Sequence, residues 1–255
     1  MSVITVFNQK GGVGKTTTCV NLAAGLARMQ RNPLAIDLDA QAHLTLSCGL
    51  NGIGSHDSIA SFFKDERPLS ELLKPSAAAG LQVIAGHVEL ARIDALYGSN
   101  KKITGKLRAG LRESFSDRGT PILIDCCPML GVLTLNALLA ADRILIPVSA
   151  DYLSLRGVQR LEIALQALEQ SLQRAFPRKV VVTRFDSRRR LSYEIYDTLK
   201  RRVGDALCRT CITENVSLAE SPGHGMDIFR YAPASTGARD YQALTEELEE
   251  SGFFA

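Results

Sequence analysis

Asn8-Gln9-Lys10-Gly11-Gly12-Val13-Gly14-Lys15-Thr16-Thr17 follows the apolar run Val3 to Phe7 directly. An apolar run, a glycine-rich turn and a helix-forming stretch in that order predict a buried strand, a phosphate cradle and a helix N-terminus. The glycines let backbone N–H groups close on phosphate oxygens, and the helix dipole adds to their pull. Lys15 adds a point charge, and the Thr16 hydroxyl is placed to ligate Mg²⁺. The general pattern G-x-x-x-x-G-K-[ST] asks for glycine at position 9, where this chain has Gln9 followed by the cation Lys10. A lysine so early in the loop is expected to point away from its own cradle, toward phosphate bound by another subunit. The competing reading is a solvated loop lysine.

Outward from this turn, short apolar runs alternate with helical patterns. Strands are expected at Val3 to Phe7, Leu34 to Leu38, Leu81 to Ala85, Pro121 to Asp125, Arg143 to Val148 and Lys179 to Thr183. Helices are expected at Thr16 to Met29, Lys101 to Ser114, Val132 to Ala140, Ser154 to Gln173, Ser192 to Val203 and Ser235 to Glu250. The alternation predicts an α/β fold: a single-domain P-loop NTPase over residues 1–255, with a mostly parallel twisted sheet and helices on both faces. Ligands in such folds sit at the carboxyl edge of the sheet.

Composition excludes several classes. Apolar residues make up 45% and charged residues 22% of the 255. No apolar run approaches the ~18 residues that span a bilayer. With no export signal at the start, a cytoplasmic protein is expected. Net charge is only +3, so a nucleic-acid partner has to be argued from distribution. Between Arg174 and Arg209 eleven basic residues face four acidic ones. Arg188-Arg189-Arg190 and Lys200-Arg201-Arg202 flank one expected helix; each run alone reads equally well as a solvated face. The six cysteines do not make a disulfide framework. Cys208 and Cys211 have metal-ligand spacing, but one C-x-x-C without a second pair reads first as strand and core.

Three carboxylates close apolar runs: Asp37 and Asp39 at the end of Leu34-Ala35-Ile36-Asp37-Leu38-Asp39, and Asp125 after Ile122-Leu123-Ile124. One such aspartate would serve equally well as a cap. Three, in a chain with this turn, point to Mg²⁺ binding and to orientation of an attacking water, which is what phosphoryl transfer needs. Lys10 from a partner would then stabilise transition-state charge in trans.

These residues resemble the ParA family of partition ATPases, within the group of deviant phosphate loops that includes MinD and the nitrogenase iron protein. Asp37-Leu38-Asp39-Ala40-Gln41-Ala42-His43 is similar to the family's DLDPQGN. Asp125-Cys126-Cys127-Pro128 with Leu133-Thr134-Leu135-Asn136-Ala137-Leu138 is similar to DCPP…LTLNAL, and Phe185-Asp186-Ser187-Arg188 to FDAR. Asn215-Val216 with Glu220-Ser221-Pro222-Gly223-His224-Gly225 is similar to NVRLSEAPSHG. The resemblance implies an ATP-bound homodimer that binds DNA non-specifically, is nucleoid-associated, and hydrolyses ATP when a ParB-like or cargo-adaptor protein stimulates it. Lys10 is the implied signature lysine, and Lys10 to Thr17, with Asp125, form the implied nucleotide site. Thr16, Asp39 and Asp125 are the implied Mg²⁺ site, with Asp39 orienting water. Arg188 is the implied DNA contact, reinforced by Arg189, Arg190, Arg201 and Arg202. Ala40 and His43 depart from the pattern, and Thr213 to Ser217 lacks two of its arginines. Two rivals are a MinD-like membrane-associated ATPase and a metabolic P-loop enzyme of the same fold. The acidic C-terminal stretch with its short apolar tip argues against the membrane.

Overall fold

The computed structural model describes residues 1–97, 103–116 and 119–255. Its strands are β1 (Ser2–Val6), β2 (Leu34–Asp37), β3 (Leu73–Pro75), β4 (Gln82–Ile84), β5 (Pro121–Asp125), β6 (Arg143–Ser149), β7 (Arg178–Phe185) and β8 (Leu207–Thr213). Among the described residues they form one sheet in the order β3-β4-β2-β5-β1-β6-β7-β8. β3 is antiparallel to β4, and the other neighbours are parallel. The helices are α1 (Lys15–Arg28), α2 (His43–Ser47), α3 (Ile59–Asp65), α4 (Glu89–Tyr97), α5 (Lys106–Phe115), α6 (Val132–Ala140), α7 (Tyr152–Leu172), α8 (Arg190–Val203), α9 (Val216–Glu220), α10 (Ile228–Tyr231) and α11 (Thr236–Glu250).

Both faces of the sheet are covered, which is why the central strands carry near-continuous apolar runs such as Leu34-Ala35-Ile36 and Ile122-Leu123-Ile124 instead of alternating. Ile36, Ile122, Ile124, Ile144 and Val182 face one core layer with residues of α3 to α8. Ala35, Leu123, Leu145 and Val181 face the other, under α1, α2 and α9 to α11. The helix expected from Lys101 begins at Lys106 in the structure; residues 101 and 102 lie outside the described residues. The expected bounds of β5 and α6 match those observed.

The edge strand β8 has charged and polar residues among its apolar ones, so its pattern is weak. Its outward N–H groups find acceptors on α11. Glu247 accepts from Arg209 and Thr210 at 2.7 and 2.8 Å, and Asp240 accepts from Thr213 at 2.8 Å. These carboxylates shield an edge that would otherwise template pairing with another chain.

The C-terminal segment packs as core. Phe253 and Phe254 are buried against α1 and α11, and Arg143 donates to the Ala255 carbonyl at 2.6 Å. Replacing Phe254 with alanine is expected to lower unfolding free energy by about 3 kcal/mol in urea melts. Unchanged stability would mean that the tip is not held.

Candidate nucleotide site

Register brings the carboxylates together. β1, β5 and β2 are neighbours, with Val6 opposite Asp125 and Asp125 opposite Asp37, so two aspartates end adjacent strands side by side. The phosphate loop leaves β1 beside them. Gly12 and Gly14 have φ of 73° and 83°, a left-handed backbone that costs glycine little. The loop is fixed from β6 and β7: Asn8 donates to the Pro147 carbonyl at 2.8 Å, and Thr183 donates to the Val13 carbonyl at 2.9 Å.

Inside the cradle, Lys15 is 7% exposed, and its ammonium donates to the Lys10 carbonyl at 3.0 Å. Burial lowers its proton affinity, and nearby Asp125 and Asp39 raise it again. Asp37 is fully buried. Its carboxylate accepts from the Thr45 hydroxyl and N–H at 2.7 and 2.9 Å and from the Asp39 N–H at 3.1 Å. Burial pushes its pKa up to about 6 against those hydrogen bonds. Asp39 lies just beyond the strand, partly exposed, and turns the loop by accepting from the Gln41 N–H at 2.9 Å.

Asp125 is the anomaly. It is fully buried, and neither carboxylate oxygen completes a well-formed hydrogen bond among the described residues. Burial and the adjacent Asp37 push its pKa well up, with Thr16 and Lys15 pulling it down. A buried carboxylate so poorly paired is costly, and a hydrated divalent cation would supply further donors and charge. The hard oxygen set of Thr16, Asp39 and Asp125 therefore fits Mg²⁺.

Lys10 points away from the cradle. Its ammonium lies 2.7 Å from both oxygens of Asp151 and 2.9 Å from the Ser154 hydroxyl, at the start of α7. It is therefore ion-paired, not a solvated loop lysine. Asp151 caps α7 by accepting from the Ser154 N–H at 3.0 Å and also accepts from the Ser149 hydroxyl. Beside the loop a cavity of about 310 Å³ opens between Gly12, Gly14 and Thr17 on one side and Ile212, Leu218 and Tyr241 on the other. Arg184 and Glu214, paired at 3.3 Å, lie at its lining.

The expected arginines lie elsewhere, at the two ends of α8. Arg188 forms a two-point pair with Asp186 at 2.9 and 3.0 Å, Arg189 reaches the same carboxylate at 3.1 Å, and Arg190 pairs with Glu194 at 2.8 Å. All three stay largely exposed. Arg201 reaches Thr198, and Arg202 reaches the Leu155 carbonyl. At 1.5 Å per residue the two clusters are about 18 Å apart along the helix, with Glu194 and Asp197 between them. They make two basic spots, not one continuous stripe.

Cys208 belongs to the core layer beneath α1 and α11, whereas Cys211 packs against the opposite layer. Strand geometry thus separates the C-x-x-C pair, and among the described residues no group of three or more His, Cys, Asp or Glu side chains is placed to hold a metal ion. Burial pushes both thiols up to about 12.

Residues 1–177 match a family model described as an AAA domain. Over 253 residues the chain is 33% identical to the sporulation initiation inhibitor protein Soj of Bacillus subtilis, covering 98% of this chain and 99% of that one. Over 251 residues it is 37% identical to the chromosome-partitioning ATPase Soj of Thermus thermophilus, covering 96% and 94%. The chain belongs to the ParA/Soj family of P-loop ATPases. A solved structure described as cobyrinic acid a,c-diamide synthase from Mycobacterium smegmatis, with bound ADP and magnesium, superposes on this ParA/Soj chain with a TM-score of 0.83. It is 26% identical and covers 99% of this chain and 96% of that one.

Sequence reasoning missed Asp151 as the partner of Lys10, although it follows a strand end just as Asp39 does and heads an Asp-x-x-Ser cap. It also missed Thr183 as a wall of the cavity beside the loop.

Burial alone would raise Asp151, but the hydrogen bonds from Lys10, Ser149 and Ser154 outweigh it and hold its pKa at about 2. Because this is below the unfolded value of about 3.9, the stabilisation is present above pH ~4 and is lost as pH falls toward 2. Carbon-13 NMR should find Asp151 titrating near 2 in the native protein and clearly higher in Lys10→Ala. An unshifted titration in the variant would refute the pair.

Proposed function

We propose that residues 1–255 form one ParA-like ATPase domain that binds Mg²⁺ and ATP in the 8–17 loop and closes into a homodimer with the nucleotide at the interface. The observation that carries this reading is the position of the Lys10 ammonium. It is turned out of its own cradle and held at the protein surface by Asp151, within reach of a subunit docking on the carboxyl edge. Met129, Leu130, Tyr152 and Leu153 are exposed apolar residues in the segments that follow Asp125 and Asp151. They supply apolar area for a second copy of the chain at the same edge.

In this reading Lys15 binds the β and γ phosphates, and the N–H groups of Gly11 to Thr17 close around them. Thr16, Asp39 and Asp125 hold the cation, which neutralises charge on the phosphate oxygens. Asp39, partly exposed at the mouth of the site, orients the attacking water. Lys10 leaves Asp151 and neutralises charge on the partner's nucleotide. The cavity beside Ile212 and Tyr241 takes the base, since its size and apolar walls suit a flat ring. Hydrolysis reopens the dimer.

The family relationship supports partition or positioning of DNA or another cargo, with the arginines at the ends of α8 contacting DNA phosphates and a ParB-like or cargo-adaptor protein stimulating hydrolysis. The working location is then the nucleoid, in the cytoplasm. The short apolar stretch at Phe253 and Phe254 lends the membrane-associated alternative nothing, because both are core residues. Among the described residues no helix is long and apolar enough to cross a membrane.

Lys10→Ala should abolish ATP-dependent dimers in analytical ultracentrifugation while leaving the monomer folded, with a cooperative melt. Dimers that persist would contradict the cross-subunit role. DNA affinity should fall with salt with a log–log slope of about −0.9 per phosphate neutralised. Changing Arg188, Arg189 and Arg190 to alanine should flatten that slope by about 1 for each arginine in contact, and an unchanged slope would clear this surface of DNA.

A further inference from the structure

Gly131 precedes α6 in an extended conformation, φ −96° and ψ −173°, which any residue adopts. Its backbone therefore does not explain the glycine. A Cβ built there would overlap both carboxylate oxygens of Asp94. Asp94 lies on α4, a helix anchored in the core by Leu90 and Ile93, and its carboxylate accepts from the Leu133 N–H at 3.2 Å. Gly131, as N-cap, has no side chain to offer the first turn of α6. The acceptor that an N-cap normally supplies comes instead from another helix.

The segment held in this way is the one that leaves the nucleotide site. It starts at Asp125, passes through buried Cys126 and the exposed Met129 and Leu130, and ends at Gly131. The Thr134 hydroxyl, one turn into α6, donates to the Met129 carbonyl at 2.7 Å. The placement of Met129 thus follows that of the α6 N-terminus. The near end of the loop is fixed by the sheet, and Asp94 fixes the far end.

We propose that Asp94 is a positioning residue for ATP hydrolysis: by capping α6 it sets the course of the 126–131 loop beside the reacting phosphate. The inference rests on the assignment of Asp125 to the nucleotide site. Asp94 touches neither nucleotide nor cation, so its loss should slow turnover and leave ATP affinity nearly intact. Displacement of active-site groups by a fraction of an ångström suffices for such an effect. Asparagine keeps the acceptor and should substitute well. Gly131→Ala pushes the same carboxylate away from the other side.

The test is steady-state Mg²⁺-dependent ATP hydrolysis by the full chain, with kcat and KM measured separately for Asp94→Ala, Asp94→Asn, Gly131→Ala, the Asp94→Ala/Gly131→Ala double variant and Asp125→Ala. Expected for Asp94→Ala is a fall in kcat of about tenfold with KM within about twofold, and recovery of kcat in Asp94→Asn. Gly131→Ala should match Asp94→Ala, and the double variant should be no worse than either, because both changes remove one contact. Exchange of the Leu133 amide should be faster in Asp94→Ala and normal in Asp94→Asn. Full kcat in Asp94→Ala, a KM that rises with the fall in kcat, or additive losses in the double variant would overturn the proposal. If Asp94→Ala does not fold, Gly131→Ala decides. Normal hydrolysis by Asp125→Ala would instead overturn the assignment of Asp125, on which the inference rests.

Discussion

Adjacent parallel strands β2 and β5 end in register at Asp37 and Asp125, two fully buried carboxylates. Most of the site follows from that constraint. Unit charges about 5 Å apart at an effective dielectric of 20 repel by about 3 kcal/mol, well above the ~0–1 kcal/mol that an exposed ion pair returns. The chain deals with the two aspartates differently. Asp37 is tied by Thr45 and the Asp39 N–H and so shapes the loop that carries Asp39, with a pKa of about 6. Asp125 is left with its proton affinity raised and, apart from the Thr16 hydroxyl, no hydrogen-bond donor among the described residues, beside Lys15. In the proposed reading an Mg²⁺–nucleotide complex would relieve that deficit.

Lys10 and Asp151 form the second element, and it has the opposite character. Here a cation and a carboxylate are matched and partly exposed. A lysine suits this task because its ammonium is a compact charge on a flexible stem. The pair sits where the loop after β1 meets the loop after β6, so it links the phosphate cradle to the N-terminus of α7. It keeps the Lys10 ammonium outside its own cradle.

Much of this was legible in the chain itself. The run from Val3 to Thr17 states strand, turn and helix by residue type alone, and β5 and α6 were bounded to the residue because Pro121 and Gly131 mark their starts. The central strands declared themselves by unbroken apolarity. β8 did not, because Arg209 and Thr210 interrupt its pattern and the acceptors for its edge N–H groups sit on α11, thirty or so residues later. α2, α3 and α4 escaped because they are short and gain their order from packing. In the site, Lys15, Thr16, Asp39 and Asp125 were readable from strand ends and turn chemistry. Asp151 and Asp94 were not, since each acts on a residue far away in sequence. The arginines were readable as charge but not as two spots about 18 Å apart, already partnered by Asp186 and Glu194.

The central claim is that Lys10 is stored on Asp151 and released to a partner's nucleotide. A crystal structure of the full chain with Mg²⁺ and a non-hydrolysable ATP analogue tests it most directly. The account predicts a two-fold dimer in which each Lys10 ammonium has left Asp151 and lies within hydrogen-bonding distance of a phosphate bound by the other subunit. A nucleotide-loaded chain with Lys10 still on Asp151, or turned onto the phosphate of its own loop, would contradict it.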